Sequence, residues 1–203
     1  MPDIPLFPLG NALFPAGVMS LRIFEVRYLD MVRKCIASEA EFGIVPLLAG
    51  SEVRVPEGHE TLATAGTLAR IELCSSPGPG LMHIRCTGTT RFHLTSSRLG
   101  QYGLWNGSIE PIADDAVVEI PTSLQPCANA LGRLIAQLQQ QGVAPEDMPM
   151  APPFRLDECG WVADRWAELL PLAPEQKAAL LTTTDPVARL YDIYEALGQR
   201  GLL

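Results

Sequence analysis

The apolar residues of this chain change their spacing part-way along, and that change constrains the fold more than any single motif. Up to about residue 115 they fall in short runs, "EFGIVPLL", "AGTLARIELC", "LMHIRCTG", "RFHLTSSRL" and "YGLWNGSIEPI", with turn-forming residues between most of them. Beyond "EIPTSLQP" they recur at three and four, with Leu124, Leu131, Leu134, Ile135 and Leu138 on one face. The first spacing suits pleated strands and the second a helix, and neither pattern can bury its apolar set in the other geometry. The expected fold is α+β: a small, partly closed β-barrel followed by helices.

Local signals divide the chain at 1–117 and 118–203. In the first part, "SSPGPG" at 75–80 is a hairpin connection. Residues 24–38 read as one early amphipathic helix. Phe24, Tyr28, Leu29, Met31, Val32, Cys35 and Ile36 form its apolar face, and Glu25, Arg27, Asp30, Arg33 and Lys34 fall elsewhere. Asn106-Gly107 is a hairpin signal by turn chemistry. In the second part, Asp157 is placed to open a helix ending near Leu170, "APEQKAALL" forms a short one, and Asp185-Pro186 supplies a cap and first-turn proline for a third.

The opening "IPLFPLGNALFPAGVMSLRIFEVRYLDMV" repeats Leu-Phe-Pro at 6–8 and 13–15 around Gly10-Asn11. Proline fixes φ, lacks an N–H and pushes its predecessor into extended conformation, so each pair reads as an extended edge segment. The first full strand is then "VMSLRI". Phe7 and Phe14 read as packing residues, and Arg22 and Glu25 as ties between the barrel and the helix start.

At 203 residues and 47% hydrophobic, there is chain enough for a sizeable core. No run approaches the roughly 18 apolar residues of a membrane span, and the N-terminus lacks the basic flank of a signal peptide. The expected setting is cytoplasmic. Cys35, Cys74, Cys86, Cys127 and Cys159 form no C-x-x-C pair and read as buried free thiols. A net charge of −8 argues against general binding to a phosphate backbone.

The signatures of familiar chemistry fail at identifiable positions. His59-Glu60 begins a zinc H-E-x-x-H, but Ala63 occupies the second histidine position; Gly78-Pro79-Gly80 begins a dinucleotide fingerprint whose third glycine is His83. No G-x-S-x-G elbow occurs, and neither Lys34 nor Lys177 follows a glycine, so a phosphate loop is absent. No catalytic residue, metal ligand or cofactor is expected.

One window departs from the acidic composition. No acidic residue lies between Glu72 and Glu110, where His83, Arg85, Arg91, His93 and Arg98 all fall. Alternation puts His83 and Arg85 on one face of their strand and Arg91 and His93 on one face of the next, so the four could converge. They are the candidate ligand-binding residues, for a carboxylate, an acidic peptide or RNA phosphate; the alternative is a solvated face neutralised by acids elsewhere.

The opening, from "LFPLGNALFPAGVMSLRIFEVRY", resembles the start of the N-terminal substrate-binding domain of Lon proteases. "EFGIVPLL", "GTLARI", "GTTRFHL" and "LLPLAPEQKAALLTTTDPVARL" resemble it further in order and spacing. The resemblance implies a PUA-like β pseudobarrel followed by a helical bundle. It also implies one continuous strand through Asn106-Gly107, with a bulge or close backbone approach at the glycine. The Ser-Lys dyad of the family's protease part has no candidate here. The implied function is a stand-alone, non-enzymatic polypeptide-binding module for unfolded or apolar segments, passing them to a separate protease or chaperone. The alternative, from the same fold, is an RNA-binding protein.

Overall fold

Residues 3–53 and 59–203 are described by the computed structural model. The strands are β1 (Ile4–Leu9), β2 (Val18–Ile23), β3 (Phe42–Ala49), β4 (Thr61–Leu62), β5 (Ala65–Gly78), β6 (Leu81–Leu99) and β7 (Trp105–Pro111). Strands β1, β7, β6, β5 and β3 neighbour one another in that order, and β1 closes the ring by pairing parallel with β3. Such closure removes most of the unpaired edges that an open sheet would leave. Strand β2 lies off the ring and, among the described residues, pairs with β6, Val18 opposite Thr87 through Ile23 opposite Met82.

Helix α1 (Val26–Ser38) packs Tyr28, Leu29, Met31, Val32 and Cys35 against β-strand residues that include Phe7, Ile23, Phe42, Met82 and Ile84. It starts two residues later than its apolar pattern suggests, leaving Phe24 outside it and exposed, and Ile36, within the helix, is exposed as well. Arg27, expected on the solvent side, is buried. Glu25 neutralises it, Gly103 O accepts from its Nη1 at 2.8 Å, and its guanidinium lies 4.5 Å from the Tyr28 ring centroid. The helix ends with Glu39 in the left-handed region at φ 52° and Ala40 N bonded to Cys35 O, a Schellman closure.

Helices α2 (Gln125–Gln140), α3 (Cys159–Leu169), α4 (Pro174–Thr182) and α5 (Pro186–Gly198) form the second half. Asp185 caps α5 as read, accepting from Val187 N at 2.9 Å. Asp157 does not open α3: it lies in a turn, its carbonyl accepts from Ile120 N, Glu158 bridges Glu119, and the helix starts at Cys159. The core of this half is continuous with the barrel, because Ala12, Phe14 and Ala65 join the cluster that holds Leu131, Trp161, Trp166 and Leu190. Helix α4 packs on β3 and β5.

The two Leu-Phe-Pro triplets have different fates. The first lies in β1, which is no edge: β7 accompanies it from Ile4 to Leu6 and β3 from Leu6 to Leu9. Pro8 lies beyond the β7 pairing, where one side of the strand has no partner strand among the described residues and a missing donor costs no ladder bond. The second triplet is a turn, with Ala16 at φ 58°, crossing Gly88 so closely that a Cβ there would lie 2.2 Å from Phe14 O. Asn106-Gly107 continues β7 without a turn. A Cβ at Gly107 would lie 2.5 Å from Leu94 Cδ1 and 2.8 Å from Ser96 O, which is the close approach that the glycine permits.

Candidate functional site

The runs "LMHIRCTG" and "RFHLTSSRL" are one strand, β6, and this dissolves the expected convergence. Register passes from Ala69 opposite Gly88 to Thr67 opposite Arg91, so Thr89-Thr90 carry an extra residue. A one-residue bulge reverses which side chains face which way, and alternation cannot be carried across it. His83 and Arg85 stay on the outer face, while Arg91 turns inward and is 2% exposed. His93, ten residues from His83 along the same strand, is exposed between Ala65 and Glu110. Arg98 is exposed and paired with Asp3.

Arg91 belongs to a buried ionic seam that joins barrel to helices. Its Nη1 donates to Thr183 O at 2.9 Å and Leu181 O at 3.3 Å, and its Nη2 to Asp115 Oδ1 at 2.6 Å. Arg189, fully buried, contacts the other oxygen of Asp115, donates to Thr183 O at 2.7 Å and lies 3.1 Å from Asp164 Oδ1. Nearby, Glu168 accepts from Phe14 N at 2.9 Å and pairs with Arg165, which donates to Pro15 O at 2.8 Å. Burial pushes the Asp164 and Glu168 carboxyls up to about 7. A cleft of about 300 Å³ opens beside Arg91, Asp115, Asp164 and Trp161, but these ionic groups are committed to one another.

The cysteines offer no reactive centre. Cys35, Cys86, Cys127 and Cys159 are buried, and burial pushes Cys86 up to about 12 and Cys127 up to about 11. Cys74, expected inside, is exposed on the β5–β6 hairpin. Among the described residues no cluster of three or more His, Cys, Asp or Glu could hold a metal.

An apolar-lined groove lies beside β2. A groove of about 300 Å³ is lined by six consecutive residues from Ser20 to Glu25, an arrangement that requires the strand to present its edge sideways. Its apolar lining comes from Phe7 and Leu9 of β1, Leu21, Ile23 and Phe24, and Tyr28 of α1. Phe7 stacks on Tyr28 with centroids 4.0 Å apart. Phe24 is 54% and Val53, across the groove, 49% exposed. Phe7 is therefore both packing and groove wall, whereas Phe14 is packing alone.

The opposite face of the same strands carries the basic residues that do assemble. Register sets Arg22 beside His83 and Ser75, Ser20 beside Arg85 and Leu73, and Val18 beside Thr87 and Arg70. Arg22 does not tie barrel to helix as expected; it is exposed on this face. The alternation in "VMSLRI" carried that signal. What the sequence could not supply was β6 as the neighbour of β2.

The comparison with known proteins bears on what such a module is. The family model described as the ATP-dependent protease La (LON) substrate-binding domain matches residues 3–199. The chain belongs to the Lon substrate-binding domain family. The Lon N-terminal domain protein of Xanthomonas campestris is 31% identical, with a TM-score of 0.73 over 96% of this chain and 98% of that one. The N-terminal domain of Mycobacterium avium complex Lon protease, at 15% identity, shares the fold with a TM-score of 0.58. Lon protease of Paraburkholderia phytofirmans is 28% identical over 98% of this chain, and Lon protease 2 of Myxococcus xanthus 24% over 97%. The chain spans about a quarter of the length of these curated relatives. Among the described residues no helix is long and apolar enough to cross a membrane.

Proposed function

We propose that this protein binds exposed apolar segments of unfolded polypeptides and that the groove beside β2 is where it holds them. The observation that carries the reading is the edge of β2, without a partner strand among the described residues, set against an apolar wall. A strand added there would find main-chain donors and acceptors on one side and the Phe7, Leu9 and Tyr28 surface beneath alternate side chains. The family's substrate-binding description agrees with that chemistry. The module acts on polypeptide without hydrolysing ATP or cleaving peptide bonds, since this chain has no phosphate loop and no candidate dyad. Bound segments would pass to a separate protease or chaperone in the cytoplasm. Binding to RNA is the second reading, resting on the Arg22, His83 and Arg85 face.

The test is fluorescence anisotropy with a reduced, alkylated and therefore permanently unfolded protein as labelled probe. Phe24→Asp and Val53→Asp place charges at exposed groove positions, so each should weaken binding at least tenfold while leaving the melting temperature unchanged. Undiminished binding by both variants overturns the groove assignment, and no binding by the parent chain overturns the function.

A further inference from the structure

We propose that the polypeptide held at β2 is an extended segment in which apolar residues alternate with acidic ones. Its apolar side chains would face the groove, and its carboxylates the Arg22, His83 and Arg85 stripe on the outer face. This rests on the groove reading above and adds the chemistry of its occupant.

The protein itself begins the augmentation. Gly17, just before β2, gives its carbonyl to Gly88 N on the β6 side and forms an antiparallel bridge with Met150 on the other. Met150 thus occupies the first position along the free edge. The bridge is isolated, because Pro149, Pro152 and Pro153 around it lack the N–H that a ladder needs. From Val18 to Ile23 the edge has no partner strand among the described residues. A bound segment would continue the line that Met150 starts.

Pleating then sets the pattern of the occupant. In a strand lying about 4.8 Å from β2, residues opposite Leu21 and Ile23 point into the groove, and residues opposite Ser20 and Arg22 point to the other face. On that face, neither Arg22 nor Arg85 has an ion-pair partner among the described residues. Arg85 donates to a neutral acceptor, Glu146 O. A carboxylate opposite Arg22 is in direct cross-strand reach. Ser20 is the β2 residue opposite Arg85, which lies one strand further in. The acidic residues at the groove are already engaged, Glu25 by Arg27 Nε at 3.1 Å and Glu52 by Gly10 N at 2.6 Å. Arg70, on the third rung, is paired with Glu72 and adds no free charge.

Four labelled probes test this against the full chain at 50 mM and 300 mM salt: decapeptides alternating valine with glutamate, with serine and with lysine, and a ten-nucleotide oligouridylate. At low salt the Val/Glu peptide should bind at least tenfold more tightly than Val/Ser, with Val/Lys weakest, and the gap should shrink at high salt. Arg22→Ala should erase most of the Val/Glu advantage over Val/Ser and leave the melting temperature unchanged; Arg22→Glu should make Val/Lys the preferred peptide. Equal binding of Val/Glu and Val/Ser, both lost in Phe24→Asp, overturns the acidic preference and leaves the groove reading standing. Binding of oligouridylate without binding of any peptide overturns both.

Discussion

Replacing Arg91 by alanine should cost this fold about 3 kcal/mol, whereas the same change at Arg98 should cost well under 1 kcal/mol. The contrast follows from what each guanidinium touches. Arg98 is 69% exposed and pairs with Asp3 in solvent, where screening and side-chain entropy cancel most of the attraction. Arg91 is buried, donates to three main-chain carbonyls, Leu181, Thr183 and Ala113, and lies 2.6 Å from Asp115. Truncation removes the side-chain donor from Leu181 O and Ala113 O, while Thr183 O keeps Arg189, and removing one partner of a buried pair typically costs about 3 to 5 kcal/mol. The lower end applies here because Arg189 stays on Asp115 and still neutralises it. Against a typical total of about 5 to 15 kcal/mol, such a loss moves the urea midpoint visibly. Tryptophan fluorescence reports it, since Trp161 lines the same cleft as Arg91. A loss below about 1 kcal/mol with an unchanged m-value would refute the argument that the seam ties barrel to helices.

Leu29→Asp, placing a charge at a 5% exposed position of α1, should leave the protein unfolded or aggregated, while Arg33→Ala should change stability by less than about 0.5 kcal/mol; circular dichroism melts check both. Glu39→Gly should stabilise by roughly 0.5 to 1 kcal/mol in urea titrations, because glycine takes the left-handed cap at φ 52° without the Cβ penalty. Asp164 and Glu168 bind protons more tightly folded than unfolded. The stability this contributes is full below about pH 4 and lost as pH rises through about 7. The urea midpoint should therefore be lower at pH 8 than at pH 5, and Glu168→Gln should flatten that fall.

The elements were legible where local physics decides them. The apolar spacing of residues 24–38 marks α1, Pro79-Gly80 turns the β5–β6 hairpin, and Asp185-Pro186 starts α5, because each depends on residues within a few positions. The Lon-like opening was legible too, and with it the fold. The site was less so. Arg91 and His83 read alike in a basic window, since nothing local records the bulge at Thr89-Thr90 that turns one inward and leaves the other in solvent. Arg27 read as a surface charge because Glu25 and Gly103, which make its burial tolerable, meet it only in the folded chain. Nor does "VMSLRI" reveal that one of its edges has no partner strand among the described residues: a strand's own sequence specifies its two faces by alternation, whereas its neighbours are set by how the whole ring closes. The sequence determined the helices, most of the strands and the family; tertiary closure decided which charges were buried in the seam and which edge of β2 has no partner strand among the described residues, because burial and pairing depend on distant segments.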